Sequence, residues 1–151
     1  MEAPVPAETR NWTRGLDDVI AYHLRRAQEA SFAAYARSLG EIHIWPGWYA
    51  LLRIIHDNPG INQTELSAAT GRDKSTLTAS LRELGKAGLV VRERDETDRR
   101  NFRLTLSEAG ETQLCDLDVK ARAHNDRIDE IVGPENRDNF LAILKKLSLL
   151  S

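Results

Sequence analysis

Among 151 residues there is a single cysteine, Cys115. One thiol cannot close an internal disulfide, which excludes a disulfide-stapled secreted scaffold and fits a reducing cytoplasm. No apolar run approaches the ~18 residues of a membrane span, so no membrane partner is expected. The opening stretch MEAPVPAETRNW is acidic and proline-bearing and lacks the apolar core of a secretory signal. No Cys/His cluster has zinc-ligand spacing. A Gly-rich phosphate loop, a nucleophile elbow and a metal motif are also missing. His23, His43, His56 and His124 are scattered, with no sequence-local partner that suggests a triad. An enzyme is therefore the weaker class of reading, and no catalytic residue, metal or cofactor is expected.

What remains is ordinary soluble composition, 41% apolar and 29% charged, at a length that suits one domain. The charge is uneven. Residues 72–103 hold nine Lys/Arg against six Asp/Glu, while the remainder holds twelve against seventeen. A basic segment on an acidic body is a footprint for a polyanion, although most charge runs are only solvated faces. Five arginines fall in the twelve residues from Arg92 to Arg103.

The hydrophobic pattern organises the chain. Residues 1–14 read as a flexible arm. From Leu16 the apolar or small positions Val19, Ile20, Leu24, Ala27, Ser31, Ala34, Tyr35 and Leu39 mark one helical face, closed at Gly40. Pro46 suits a first helical turn, and Trp48, Leu51, Leu52 and Ile55 stripe a short helix that DNPG (57–60) ends. Asn62 with Glu65 is a capping-box pattern opening another short helix. Gly71 then turns the chain, and Asp73 caps a helix with Leu77, Leu81 and Leu84 inward and Gly88 at its end. Two short helices about a glycine turn are the sequence form of a helix-turn-helix. Residues 89–95 and 101–106 read as strands, the second alternating Phe102, Leu104 and Leu106 with Arg103 and Thr105. Ser107 caps a long helix with a heptad-like seam of Leu114, Leu117, Ala121, His124, Ile128 and Ile131, suited to packing on another helix. Gly133-Pro134 breaks it, and a last helix carries Phe140, Ile143, Leu144 and Leu147.

A helix-turn-helix followed directly by a basic hairpin is a winged helix. The segment GLVVRERDETDRRNFRLTLSEAG (88–110) resembles the wing of the MarR family of bacterial transcription regulators, through Gly88-Leu89, Asp98-Arg99-Arg100, Leu106-Ser107 and Gly110. Ser107 stands where the family usually has Thr. The resemblance extends in element order over nearly the whole chain. It implies a mainly α fold: a DNA-binding winged helix with a small β wing over about 44–106, and dimerisation helices over about 15–40 and 107–151. It also implies a homodimer in the cytoplasm that meets a pseudo-palindromic double-stranded operator, commonly as a repressor.

On residues alone, the side of the second motif helix opposite its leucines carries Arg72, Ser75, Ala79, Arg82 and Lys86, flanked by Thr76 and Thr78, with Lys74 at its start. Small and hydroxyl side chains allow close approach to base edges, and Arg can read guanine bidentately. Arg94, Arg99 and Arg100 on the hairpin suit phosphates and a narrow minor groove, which attracts inserted arginine. Asp98 is expected to pair with a neighbouring arginine and hold the wing, as the resemblance implies. The plainer reading is an exposed hairpin with self-paired charges.

Family members commonly sense small aromatic compounds in a crevice between the helical body and the winged domain. Tyr35, His43, Trp45, Trp48 and Tyr49 lie near where the resemblance puts that crevice, and aromatic walls with a few polar groups suit a planar ligand. The stretch Arg25-Arg26-Ala27-Gln28 resembles the subgroup that answers to hydroxycinnamoyl or other aromatic acyl-CoA thioesters. Adjacent arginines suit phosphates or a carboxylate, or simply a surface pair with Glu29. A small aromatic acid or aromatic acyl-CoA is the expected effector. Two alternatives stay open: a winged-helix protein-interaction module that never touches DNA, and a redox-sensing regulator acting through Cys115. Cys115, beside Leu114, reads more naturally as a small core residue.

Overall fold

The computed structural model describes residues 12–40, 45–98 and 101–150. Among these residues six α-helices and a three-stranded sheet follow a short 3-10 turn at Arg14–Leu16. They are α1 (Ile20–Leu39), α2 (Trp48–Asp57), β1 (Ile61–Asn62), α3 (Gln63–Thr70), α4 (Lys74–Lys86), β2 (Val90–Arg94), β3 (Phe102–Leu106), α5 (Glu108–Val132) and α6 (Pro134–Leu147). The fold is mainly helical with a small β wing, as expected.

Local chemistry explains most element ends. The Asn62 side chain accepts from the Glu65 N–H, and the Glu65 carboxylate accepts in return from the Asn62 N–H, so the capping box of α3 is complete. Gly71 ends α3 in the left-handed region at φ 65°, which lets the chain turn at once into α4. Asp73 caps α4 by accepting from the Thr76 N–H. Proline at the first position of α6 follows Gly133 at φ 82°. The first helix starts four residues later than its apolar pattern: Leu16 lies in the 3-10 turn, and Val19 is the N-cap.

β1 has no counterpart in the hydrophobic pattern of the sequence. Its two residues pair antiparallel with β3, Ile61 opposite Leu104 and Asn62 opposite Arg103, giving the order β1-β3-β2. The Gly60 N–H donates to the Leu104 carbonyl and begins this ladder. The strand thus ties the entrance of α3 to the root of the hairpin.

The core is built around the helix-turn-helix. Leu51, Leu52 and Ile55 of α2, Leu66 of α3, and Leu77, Leu81 and Leu84 of α4 have no exposed surface. Leu104 of β3 and Leu114 and Leu117 of α5 close it. Each such side chain contributes roughly 1.5–3 kcal/mol over an exposed one. The three α4 leucines therefore fix that helix's rotation, and so the face it turns outward.

The long seam of α5 divides. Leu114 and Leu117 join this core, and Ala121 packs against it, but Ile131 is 86% exposed. Beyond Ala121 the seam borders an apolar groove of about 530 Å³ between α1, α5 and α6, with Leu24, Ala34, Ile128, Phe140 and Leu144 in its walls. On α1 only Tyr35 and Leu39 are buried, and on α6 no residue is. Cys115 is exposed rather than a core residue, because one helical step from buried Leu114 turns a side chain by about 100°.

Candidate nucleic-acid interface

With Leu77, Leu81 and Leu84 inward, α4 presents Lys74, Ser75, Thr76, Thr78, Ala79, Arg82 and Lys86 to solvent. Several are already engaged. The Ser75 and Thr76 hydroxyls donate to the Asp73 carboxylate, and these bonds hold its pKa well below the usual carboxylate range. The Thr78 hydroxyl donates to the Lys74 carbonyl at 2.6 Å and accepts from the Gln63 amide at 2.6 Å, clipping α3 to α4. Lys86 pairs with Glu83 at 3.0 Å. Arg72 differs from its expected place on the outward face. It is half-buried, and its guanidinium donates to the Gly47 carbonyl at 2.8 Å, fastening the helix-turn-helix to the start of α2. Ala79 is a small exposed step between Lys74 and Arg82. Among the described residues, these two cations have no carboxylate partner.

The hairpin beside α4 has β2 and β3 in register from Val90 opposite Leu106 to Arg94 opposite Phe102. Arg99 and Arg100 lie outside the described residues. Asp98 accepts from the Asn101 side chain at 2.9 Å and, through its carbonyl, from the Asn101 N–H. A second acid, which the sequence reading left out, braces the wing: Asp95 accepts from the Thr97 N–H and hydroxyl and from the Arg103 guanidinium at 2.9 Å. The bonds from Thr97 come first in holding the Asp95 carboxyl well below its ordinary pKa, followed by that from Arg103. The sequence signal was the Asp-Glu-Thr turn, since Asp side chains bond to the backbone two residues on. Arg92 and Arg94 stand over the Phe102 ring, with guanidinium carbons 4.7 and 5.8 Å from its centroid.

The wing root is locked to α5. The Ser107 hydroxyl accepts from the Gly110 N–H and donates to the Gly88 carbonyl, while the Ser107 N–H donates to the Leu89 carbonyl. Gly110 is buried where a Cβ would collide with the Leu89 carbonyl. The Gly-Leu and Leu-Ser-x-x-Gly elements of the sequence motif are thus two halves of one junction.

A cleft of about 430 Å³ lies between α1, α2 and α5, lined by Tyr35, Tyr49, Arg122, His124, Asn125 and Asp126. Burial first, then the neighbouring Tyr49 and Asp118, push the Tyr35 phenol up to about 12. Burial and a 2.9 Å bond to Asp118 raise Tyr49 as well. Both phenols therefore stay protonated at neutral pH. Asp118 also accepts from Arg53 at 3.2 Å, so two residues of α2 grip one carboxylate of α5. His124 bonds to Ser31 at 3.0 Å, and its ring centroid lies 5.5 Å from that of Tyr35.

Of the residues expected at an effector crevice, the fold brings Tyr35 and Tyr49 together. Trp48 is half-buried against the core. Trp45 is 62% exposed and packs on Phe32 with ring centroids 6.0 Å apart. His43 lies outside the described residues. Arg25 pairs with Glu29 at 2.7 Å, and Arg26 bonds to the Tyr22 hydroxyl; neither lines the cleft. At ~1.5 Å rise per residue they sit about 13–15 Å along α1 from Tyr35. The polar groups supplied by α5 were missed, because a heptad pattern marks an apolar seam and says nothing of the turn beside it.

Residues 46–102 match the model of the MarR family. A putative transcriptional regulatory protein for the hcr operon of Thauera aromatica is 30% identical over 129 residues, covering 85% of this chain and 78% of that one. The transcriptional repressor CouR bound to a 23-mer DNA duplex superposes with a TM-score of 0.84 at 31% identity, over 94% of this chain and 99% of CouR. CouR bound to p-coumaroyl-CoA gives 0.82 at 28%, over 95% and 100%. The winged helix-turn-helix, the junction at Gly110 and these likenesses agree: the chain belongs to the MarR family of transcription regulators and is a DNA-binding protein of that type.

Proposed function

We propose that this regulator is a homodimeric repressor, released from a pseudo-palindromic operator by a small aromatic acid or its CoA thioester. The observation that carries the reading is the outward face of α4, set by three fully buried leucines beside a basic hairpin. Arg82, Ala79 and Lys74 would face base edges and flanking phosphates in the major groove, with Ser75, Thr76 and Thr78 offering acceptor lone pairs. Arg94, Arg99 and Arg100 would meet phosphates and the adjacent minor groove. Segments 15–40 and 107–151 would form the dimer body around the winged helix of 44–106. The groove between α1, α5 and α6 supports this, because its apolar walls and the exposed Ile20, Ile131 and Ile143 need a cover that a second copy supplies.

The effector would lie in the cleft at the α2–α5 junction. Tyr35 and Tyr49 offer aromatic walls and phenol donors, and Arg122 and His124 offer partners for a carboxylate or thioester carbonyl. Arg25 and Arg26 would meet only a ligand with a long anionic tail, as a CoA thioester has. That CouR has been captured both with DNA and with p-coumaroyl-CoA supports a ligand of this class. A ligand that competes for Tyr49 would loosen its bond to Asp118 and let the winged part shift on α5. It releases DNA only if it binds the shifted dimer more tightly. A differential of ~1–3 kcal/mol weakens the operator by about 5–150-fold, and bound operator weakens the ligand equally.

Calorimetric titration of free and DNA-bound protein with p-coumarate and p-coumaroyl-CoA tests this. Binding by at least one, weaker on the DNA complex, is expected. Failure of both rejects this effector class, and equal binding to both forms means that the cleft is not the switch.

A further inference from the structure

Phe102 opens β3 at the outer end of the hairpin, half-buried and beyond the last core residue of that strand. Residues two apart on a strand share a face. Arg94 pairs with Phe102 and Arg92 with Leu104, so these four share one face of the hairpin. At the root that face is core, with Val90 and Leu104 buried. Farther out it is one ring carrying two guanidiniums, at 4.7 and 5.8 Å. Among the described residues neither arginine has a carboxylate partner, whereas Arg103, on the other face, is held by Asp95.

Two neighbouring cations on one strand repel. The negative face of an aromatic ring offsets that repulsion and restricts the arginine rotamers before any ligand arrives. The same ring borders a notch of about 190 Å³ between the hairpin and the starts of α3 and α4, walled also by Gln63, Thr64, Lys74, Arg92 and Asn101. Among the described residues its ionisable lining is entirely cationic.

We propose that Phe102 is a positioning residue of the DNA interface: its ring holds Arg92 and Arg94 so that, with Lys74, they meet a backbone phosphate of bound duplex DNA at the notch. This rests on the DNA-binding reading above. Neither Phe102 nor Arg92 stands out in the sequence as a contact residue, because Phe102 reads there as one apolar step of an alternating strand.

The test is fluorescence anisotropy of a labelled duplex that the wild-type protein has enriched from a randomised pool, titrated at several salt concentrations. Phe102→Leu should bind about 5–30-fold more weakly, the effect of losing two cation–π contacts. The slope of log affinity against log salt should flatten by about 1, one phosphate contact's worth. Phe102→Tyr should keep both affinity and slope. Introduced into the Arg92→Ala/Arg94→Ala double variant, Phe102→Leu should cause no further loss, since the ring then has nothing to hold. Phe102→Met, which keeps apolar bulk, should behave as Phe102→Leu. Wild-type affinity in Phe102→Leu overturns the proposal, as does its full loss recurring on top of the double variant, the mark of a packing role. If the wild-type protein enriches no duplex, the DNA-binding reading falls and the proposal falls with it.

Discussion

Gly110→Ala tests the junction that fixes the wing to the helical body. Gly110 lies in the first turn of α5, where alanine has the higher helix propensity by about 0.8–1 kcal/mol. Propensity alone therefore predicts stabilisation. The structure predicts the reverse. A Cβ there would collide with the Leu89 carbonyl oxygen, stand 3.0 Å from the Leu89 carbonyl carbon and 3.3 Å from the Leu106 Cβ. The closest obstacle is backbone and cannot rotate away. Relief requires α5 to move off β2, which stretches the Ser107 N–H bond to Leu89 and the Ser107 hydroxyl bond to Gly88. Overpacking costs about 1–3 kcal/mol and weakening the two bonds about 0.5–1.5 kcal/mol each. Set against the propensity gain, the net loss is about 1–5 kcal/mol. For a chain of this size that lowers Tm by roughly 2–20 °C. Gly85 is the internal control: it lies near the end of α4 with nothing within 4 Å of a built Cβ, so Gly85→Ala should raise Tm slightly. The assay is thermal unfolding by circular dichroism at one protein concentration, because the proposed homodimer would have a concentration-dependent Tm. Equal shifts of the same sign in the two variants would refute the steric reasoning.

Other perturbations probe separate parts of the structure. Arg82→Ala should lose affinity by about 1–3 kcal/mol mainly on operators that keep one symmetric G·C pair; a uniform loss on every sequence would make Arg82 a phosphate anchor. Asp95→Asn should destabilise the protein at neutral pH. Because the folded Asp95 pKa is depressed, its contribution is complete above the unfolded carboxylate range near pH 4 and is lost as pH falls through the folded value. The difference between wild type and Asp95→Asn should therefore shrink below about pH 4, and a gap constant across pH would refute the ionic role. Tyr49→Phe removes a phenol donor that binds Asp118 at 2.9 Å; it should lower effector affinity and change effector-induced DNA release, as read by anisotropy, and unchanged release would remove Tyr49 from the switch.

Elements fixed by local chemistry were legible in the sequence. The Asn62–Glu65 box, Gly71, Asp73, Ser107 and Gly133-Pro134 each act within a few residues of the chain, and their side chains imply their bonds. The α4 leucine stripe was equally plain, because three residues of one period leave a helix one rotation. Features set by distant contacts were not. Two residues cannot show a strand period, so β1 appears only through its pairing with β3. Asp95 and Asp98 both lie near arginines in the sequence, and only the hairpin register brings Arg103 to Asp95. The α5 seam carried no sign of where it leaves the core, since an apolar face looks the same whether its own chain or another copy covers it. Arg25 and Arg26 illustrate the same limit, for their spacing does not show which groove their helix borders.

In the proposed dimer, two copies of the α4 face and hairpin engage one operator. Hydroxyl-radical footprinting of a duplex enriched by the wild-type protein tests it most directly. Two protected patches related by two-fold symmetry are expected, with centres about one helical turn (~34 Å) apart and flanking minor-groove protection that disappears in Arg99→Ala/Arg100→Ala. A single asymmetric patch, or protection unchanged in that double variant, would contradict it.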